Sequence, residues 1–224
     1  MATRPTAPDE RPLRKDAERN RQRILDAARA LFAEEGLHAT LDAVAARAGV
    51  GVGTVYRRFA DKEALIDALF EERIDEVVEI AEAALAVEDP WDGLLHFFEG
   101  SLAMHLHDRG LKELVFSTAH GHERVRDARD RIKPVVMAVV KRAQDAGELR
   151  PDLDTSDIPV LQLMLTAVME YTADVEPDVW RRCLALVLDG MRANGACTPL
   201  APPALGDEQL EAVMAQGLRP APRR

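Results

Sequence analysis

Apolar residues recur along most of this chain every three to four positions and nowhere alternate with period two over a useful length. That pattern predicts an all-α protein with almost no strand. Between Asp16 and Glu35, the residues Ile24, Leu25, Ala28, Leu31 and Phe32 share one helical stripe, with Asp16 as a candidate cap and Gly36 as the stop. Thr40 offers a hydroxyl cap to a short helix from Leu41 to Ala48, whose Leu41, Val44 and Ala45 share a face, and Gly49-Val50-Gly51 ends it. A second short helix follows from Val52 or Gly53 to Phe59. Asp61 then caps a long helix running to about Ala86, with Leu65, Leu69, Phe70, Ile74, Val77 and Ile80 inward, until Asp89-Pro90 breaks the pattern. Further helices are predicted over Trp91 to Leu106, Leu111 to Ala119, Glu123 to Ala146 (kinked or broken near Pro134), Thr155 to Thr172, and Pro177 to Arg192. After Gly195 the composition shifts to Thr198-Pro199-Leu200-Ala201-Pro202-Pro203, an extended tail followed by a short helix over Asp207 to Gln216. The organisation expected is a flexible basic arm (1–15), a small three-helix unit (16–60), a larger helical unit (61–195) and a Pro-rich tail (196–224).

Composition is that of a globular chain: 47% of the 224 residues are hydrophobic and 30% charged, which excludes a wholly disordered protein. No apolar run is long enough to span a bilayer, and the segment from Met1 to Arg23 carries proline and arginine in place of an apolar stretch, so a cytoplasmic protein with no membrane partner is expected. Cys183 and Cys197 alone supply neither a disulfide framework nor a thiolate metal site. Arginine outnumbers lysine 24 to 5, which fits GC-rich bacterial coding. The net charge of −10 is unevenly divided: residues 1–60 sum to +3 and residues 61–224 to −13. A polyanionic partner such as DNA is therefore expected to meet the front segment, where Arg11, Arg14, Lys15, Arg19, Arg21 and Arg23 are concentrated.

The informative stretch is Thr40 to Lys62, TLDAVAARAGVGVGTVYRRFADK. Counted from Leu41, the fifth position is Ala45, where two crossing helices need a small side chain, and the ninth is Gly49, where the turn commonly needs positive φ. Val44, Ala48, Val50 and Val55 supply the inner face. This is the spacing of a helix-turn-helix, whose second helix fits the major groove of B-DNA. Gly49, Gly51 and Gly53 do not form a dinucleotide loop, because no strand precedes them and the spacing is not G-x-G-x-x-G.

In the phrases ILDAARALFAEEG, T-LDAVAARAGV and GTVYRRFADKEAL, spread over Arg23 to Leu65, the chain resembles the tetracycline-repressor (TetR) family of bacterial transcriptional regulators. The remaining two thirds match in helix number and length. The resemblance implies a homodimer that binds a palindromic duplex operator, most simply as a repressor, and is released by a small effector. It also implies phosphate contacts from Thr40, Thr54, Tyr56 and Lys62, with Gly51 and Gly53 allowing the recognition helix close approach. Amide, hydroxyl and ammonium groups suit phosphate oxygens. Arg57 is the candidate for bidentate contact with guanine, a phosphate contact being the alternative, and Val52 the candidate for a thymine methyl. Arg58 is left to phosphates or solvent. The commoner family phrase has serine then lysine or arginine where this chain has Gly51 and Val52, so sequence preference is expected to lean on Arg57, apolar contact and DNA shape, with Arg14, Lys15 and Arg19 reaching the backbone or minor groove.

Elsewhere the signals are weaker. His105 with His107 and His120 with His122 invite a metal reading, but i and i+2 point to different sides of a helix, so solvated or core histidines and no metal or cofactor are expected. Among Phe97, Phe98, Met104, Phe116, Met137, Met164, Tyr171 and Trp180, most belong to core by helical spacing. Phe97, Met104 and Phe116 are the candidates for lining an effector cavity, because helices in this region frame the cavity in the family that the chain resembles. Little polar functionality is interleaved, so the effector is expected to be apolar or amphipathic. Val179, Trp180, Cys183, Leu184, Leu186, Val187 and Met191, with Leu161, Leu163, Met164, Leu165 and Val168, supply enough apolar surface for a core face and a four-helix dimer face. Catalysis is not expected: Ser101, Ser117 and Ser156 lie outside G-x-S-x-G, and G-x-x-x-x-G-K and H-E-x-x-H are absent. The competing reading is a helical protein-interaction adaptor that does not bind DNA.

Overall fold

The computed structural model describes residues 10–35, 38–105, 121–193 and 197–216. Among them nine helices follow one another: α1 (Glu10–Glu35), α2 (Leu41–Ala48), α3 (Val52–Arg58), α4 (Lys62–Ala86), α5 (Pro90–His105), α6 (Gly121–Asp145), α7 (Asp157–Thr172), α8 (Val179–Met191) and α9 (Asp207–Gln216). The only β pairing among the described residues is one isolated bridge, Leu149 with Arg192. The helix expected over Leu111 to Ala119 lies outside the described residues.

Among the described residues the helix ends fall within two residues of those expected, with one exception. α1 begins at Glu10, so Asp16 sits inside the helix and not at its cap, where it accepts from Arg19 one turn on at 3.3 Å. Such i,i+3 pairs favour continuing the helix through a charged stretch that has no apolar stripe to announce it. α6 also runs unbroken through Pro134. Pro134 is exposed, so the missing amide donor falls on the solvent side, while Val136, Val139 and Val140 on the following turns are buried and hold the helix to its neighbours.

The apolar interior forms two clusters. The first gathers Ile24, Leu25, Ala28, Leu31 and Phe32 from α1 with Val44, Ala45, Val55 and Phe59, and is completed by Leu65, Ile66 and Leu69 from the front of α4. The second gathers Trp91, Leu94, Phe98, Val139, Leu165, Trp180 and Leu184 from α5 to α8 with Ala81 and Ala84 from the back of α4. One 25-residue helix thus belongs to both. Its amino end is fixed by Asp61, whose carboxylate accepts from the Ala64 amide at 2.8 Å. Its carboxy end is fixed by Arg142 of α6, which donates to the carbonyls of Leu85 at 3.2 Å and Glu88 at 2.8 Å. α5 crosses close behind: a Cβ on Gly93 would lie 2.5 Å from the Ala84 carbonyl oxygen, so only glycine fits there.

Arg150, buried in the loop between α6 and α7, ties the carboxy-terminal segment to this body. It donates to the carbonyls of Gly190 (3.2 Å) and Thr198 (2.6 Å) and forms a two-bond pair with Asp152. The Asp152 carboxylate also accepts from the Leu200 amide at 3.2 Å. The guanidinium beside it holds the Asp152 carboxyl at about 2. Because that value is depressed, the stabilisation is complete above the ordinary carboxylate range and fades as pH falls toward 2. Arg150→Ala leaves the Gly190 and Thr198 carbonyls without this donor. We expect a melting temperature several degrees lower, and faster proteolysis of the segment from Thr198 onward, measured by thermal denaturation and limited digestion.

Candidate nucleic-acid interface

α2 and α3 owe their geometry to local chemistry. The Thr40 hydroxyl oxygen accepts from the Ala43 amide at 3.1 Å, and its carbonyl accepts from Val44 at 3.0 Å, which starts α2. The hydroxyl proton stays available to a further acceptor, and Thr40 is exposed. α2 stops at Gly49, where φ is +64° and the amide donates back to Ala46 at 3.2 Å. A contact of this turn with α1 was not legible in the sequence. Arg23 of α1 reaches across to donate to the carbonyls of Ala48 (2.6 Å) and Gly49 (3.3 Å), and a Cβ on Gly49 would lie 2.9 Å from the same Nη2 atom. Arg23 therefore couples α1 to the turn itself.

α3 is anchored on one side and open on the other. Val55 and Phe59 are buried in the first cluster, while Gly51, Val52, Gly53, Tyr56 and Arg57 are exposed, with Val52 at 43% and Tyr56 at 49%. Val52 and Tyr56, like Gly53 and Arg57, are four residues apart and so share the outward face. Thr54 is half-buried. Arg57 folds back along the helix, donating from Nε to the Gly53 carbonyl at 3.1 Å and from Nη2 to the Thr54 hydroxyl at 3.3 Å. These are exposed contacts that a stronger acceptor outside the protein can displace. Arg58 points to α1, 3.7 Å from Glu18.

Gly51 and Gly53 are not required by the backbone. Neither has positive φ, a Cβ on Gly51 would meet only the Thr54 hydroxyl at 3.8 Å, and a Cβ on Gly53 would meet nothing within 4 Å. Glycine in a helix nonetheless costs about 1 kcal/mol relative to alanine. Lys62, the first residue of α4, lies with its Nζ 5.5 Å from the Phe32 ring centroid, and partial burial pulls its ammonium below its ordinary pKa. The side chains of Arg14 and Lys15 lie outside the described residues, and Arg19 is paired with Asp16.

A cavity of about 330 Å³ lies among α4, α5, α6, α7 and α9. Phe97 and Met104 line it, and Phe116 lies outside the described residues. Phe98 and Trp180 are buried in the second cluster away from its lining, whereas Met137, Met164 and Tyr171 are exposed. The sequence reading missed three contributions. Phe70, Arg73 and Val77 form one stripe of α4 facing the cavity; Ser101, Gln162 and Thr166 give it a polar side; and Leu210 and Met214 of α9 close it. The i, i+3, i+7 spacing of the α4 stripe was visible, but nothing local separates a residue facing a cavity from one facing core. His107 and His120 and the side chains of His105 and His122 lie outside the described residues, and among those described no cluster of three metal-ligating side chains occurs. No helix among the described residues is long and apolar enough to cross a membrane.

Residues 24–69 match the family model for bacterial regulatory proteins of the tetR family, and residues 89–193 match that for the carboxy-terminal domain of SbtR-like transcriptional regulators. The HTH-type transcriptional regulator UidR of Escherichia coli K12 is 31% identical over 191 residues, covering 80% of this chain and 92% of that protein. The TetR transcription regulatory protein of Mycobacterium vanbaalenii superposes with a TM-score of 0.65 at 34% identity over 81% of this chain and 99% of that one. SmeT, the repressor of the Stenotrophomonas maltophilia multidrug efflux pump SmeDEF, superposes with a TM-score of 0.56 at 27% identity over 83% and 97%. With the capped helix pair and its exposed face at the front and a helical body behind, this chain belongs to the TetR family of transcriptional regulators.

Proposed function

We propose that the chain acts in the cytoplasm as a homodimeric repressor, holding a palindromic operator through α2 and α3 until a small apolar or amphipathic effector enters the cavity and releases it. Residues 16–60, extended by the front of α4, form the DNA-reading unit, and 61–195 form the effector and dimerisation unit. The observation that carries this reading is α4: Leu65, Ile66 and Leu69 pack under the helix-turn-helix while Phe70, Arg73 and Val77, within the next two turns, line the cavity. An effector pressing on one end tilts a helix that the other end cannot leave, and this alters the separation of the two recognition helices, which must lie roughly 34 Å apart to read successive half-sites. The likeness to SmeT supports repression over activation.

In this reading Thr40, Thr54, Tyr56 and Lys62 hold phosphates, Arg57 reads guanine, and Val52 touches a thymine methyl. Gly51 and Gly53 are glycines because the DNA backbone comes close, a need the fold itself does not impose. Gly53→Ala separates the two causes. It should leave the melting temperature unchanged or raise it, since a helical glycine is lost, yet weaken binding to an operator selected from a random library. Arg57→Ala should cost about 1–3 kcal/mol and relax preference at one base pair, and Tyr56→Phe should weaken all sites alike. Affinity should fall by roughly 10³ or more between about 50 and 200 mM salt. Failure to retain any duplex at low salt, with the fold intact, favours the adaptor reading.

Dimerisation is supported by apolar side chains left in solvent on α7 and α8: Leu186 is 66% exposed and Met164 47%, beside half-buried Cys183 and Val187. Sedimentation velocity at micromolar concentration should give a dimer, with Leu186→Glu sedimenting as a folded monomer. A monomeric unmodified chain overturns this part of the proposal.

A further inference from the structure

One wall of the cavity differs in kind from the others. The deep side is built from residues buried in the helical body, Phe97, Val136 and Ile158 among them, whereas at Lys133 and Asp207, whose side chains are 42% and 52% exposed, the cavity meets solvent. α9 stands on that solvent side. Its Leu210, Val213 and Met214, at i, i+3 and i+4, share one face: Leu210 is buried, the other two are half-buried, and Leu210 and Met214 line the cavity, while Glu208, Gln209 and Ala212 are exposed. Little holds the helix there. In its first turn Asp207 accepts from the Lys133 ammonium of α6 at 2.7 and 2.9 Å, an exposed pair of the kind that contributes little and is screened by salt. Its apolar face looks partly onto empty volume in place of packed core. A helix of ten residues is marginal in water once undocked. The connection leading to it is lightly held as well. Thr198 and Leu200 are bonded to Arg150 and Asp152, but no residue of 201–206 has a hydrogen bond to the helical body among the described residues. α9 also lies beyond residues 89–193, the part that matches the SbtR-like carboxy-terminal family model.

We infer that α9 is a lid on this cavity: it swings about residues 201–206, with Lys133 and Asp207 as the latch and Leu210 and Met214 as its inner face, and a ligand enters and leaves when it lifts. This rests on the reading of the cavity as the effector site. Undocking α9 uncovers one buried leucine and parts one exposed ion pair while both apolar clusters stay intact, because Leu210 belongs to neither. Parting α4, α5, α6 or α7 instead opens close-packed interior, so among the described helices α9 is the one that yields at least cost. A bound apolar ligand gives Leu210 and Met214 the contacts that the empty cavity denies them, so occupancy holds the lid shut and slows release.

The test is thiol labelling of the full chain, without DNA or ligand, by uncharged methyl methanethiosulfonate, read by peptide mass spectrometry so that Cys183 and Cys197 are followed separately. Val136→Cys places a reporter on the α6 wall, and Val77→Cys places one on the α4 wall that serves if the first variant does not fold. The reporter should label at least about tenfold more slowly than in the denatured chain, because it reacts only while the lid is open. Lys133→Met in the reporter background should speed labelling by about two- to fivefold, the worth of one exposed ion pair, whereas Lys133→Arg, which keeps the pair, should retain the slow rate. Leu210→Ala should speed it by about tenfold or more, with the melting temperature retained. Labelling as fast as in the denatured chain, no acceleration in Leu210→Ala, or equal rates in Lys133→Met and Lys133→Arg would each overturn the inference. No step involves the operator, so this and the proposed function fail separately. A lid that opens as described on a chain whose operator no apolar effector releases contradicts the effector reading alone; a chain released by an effector, whose reporters ignore every change in α9, contradicts the lid alone.

Discussion

The packing of α4 into two apolar clusters at once is the constraint on which the rest of this molecule depends. Leu65, Ile66 and Leu69 cannot leave the first cluster, and Ala81 and Ala84 cannot leave the second, without opening space in interiors that are close-packed. Truncating one such leucine costs about 2–5 kcal/mol, a large fraction of the stability of a domain this size. The stretch between the clusters is where the helix is exposed to outside influence. There Phe70, Arg73 and Val77 face the cavity, while Glu72 and Glu76 accept from Arg29 of α1 at 2.9 and 3.4 Å, and Glu71 and Asp75 accept from Arg131 of α6. The Arg29 pair is largely buried and the Arg131 pair is exposed, so α1 is the firmer attachment. In the proposed function a push on α4 is delivered to the element that, through Arg23, also holds the turn between α2 and α3.

The electrostatics and the fold agree on direction. The segment of residues 1–60, which sums to a positive charge, includes the exposed face of α3 and the hydroxyl at the start of α2, whereas the acidic remainder holds the cavity and the apolar surfaces of α7 and α8. Opposite signs in the two segments of the chain favour approach of a polyanion by the front segment.

What the sequence made legible was local. The Thr40 and Asp61 caps, the left-handed Gly49 and the start of α4 at Lys62 depend on residues within four positions of each other, and each is seen in the structure. The alternation of buried Val55 and Phe59 with exposed Val52 and Tyr56 likewise follows from helical period alone. Features set by distant segments were not legible. α1 extends back to Glu10 with no stripe to mark it, α6 survives Pro134 because its valines are held from outside, and the cavity draws on five helices, one of them beyond the Pro-rich segment. Arg23 read as one basic residue among six, and only the approach of α1 to the α2 carboxy end gives it a specific task.

The coupling role of α4 is tested most directly by filling the cavity from that helix itself. Val77→Phe adds a ring on the α4 stripe, far from the DNA-reading face, and operator affinity is then measured by fluorescence anisotropy alongside a melting curve. The operator dissociation constant is expected to be larger by about tenfold, within the usual range of coupling between distant sites, with oligomeric state and melting temperature retained. An unchanged operator affinity, with the added ring seen inside the cavity by crystallography, would contradict it.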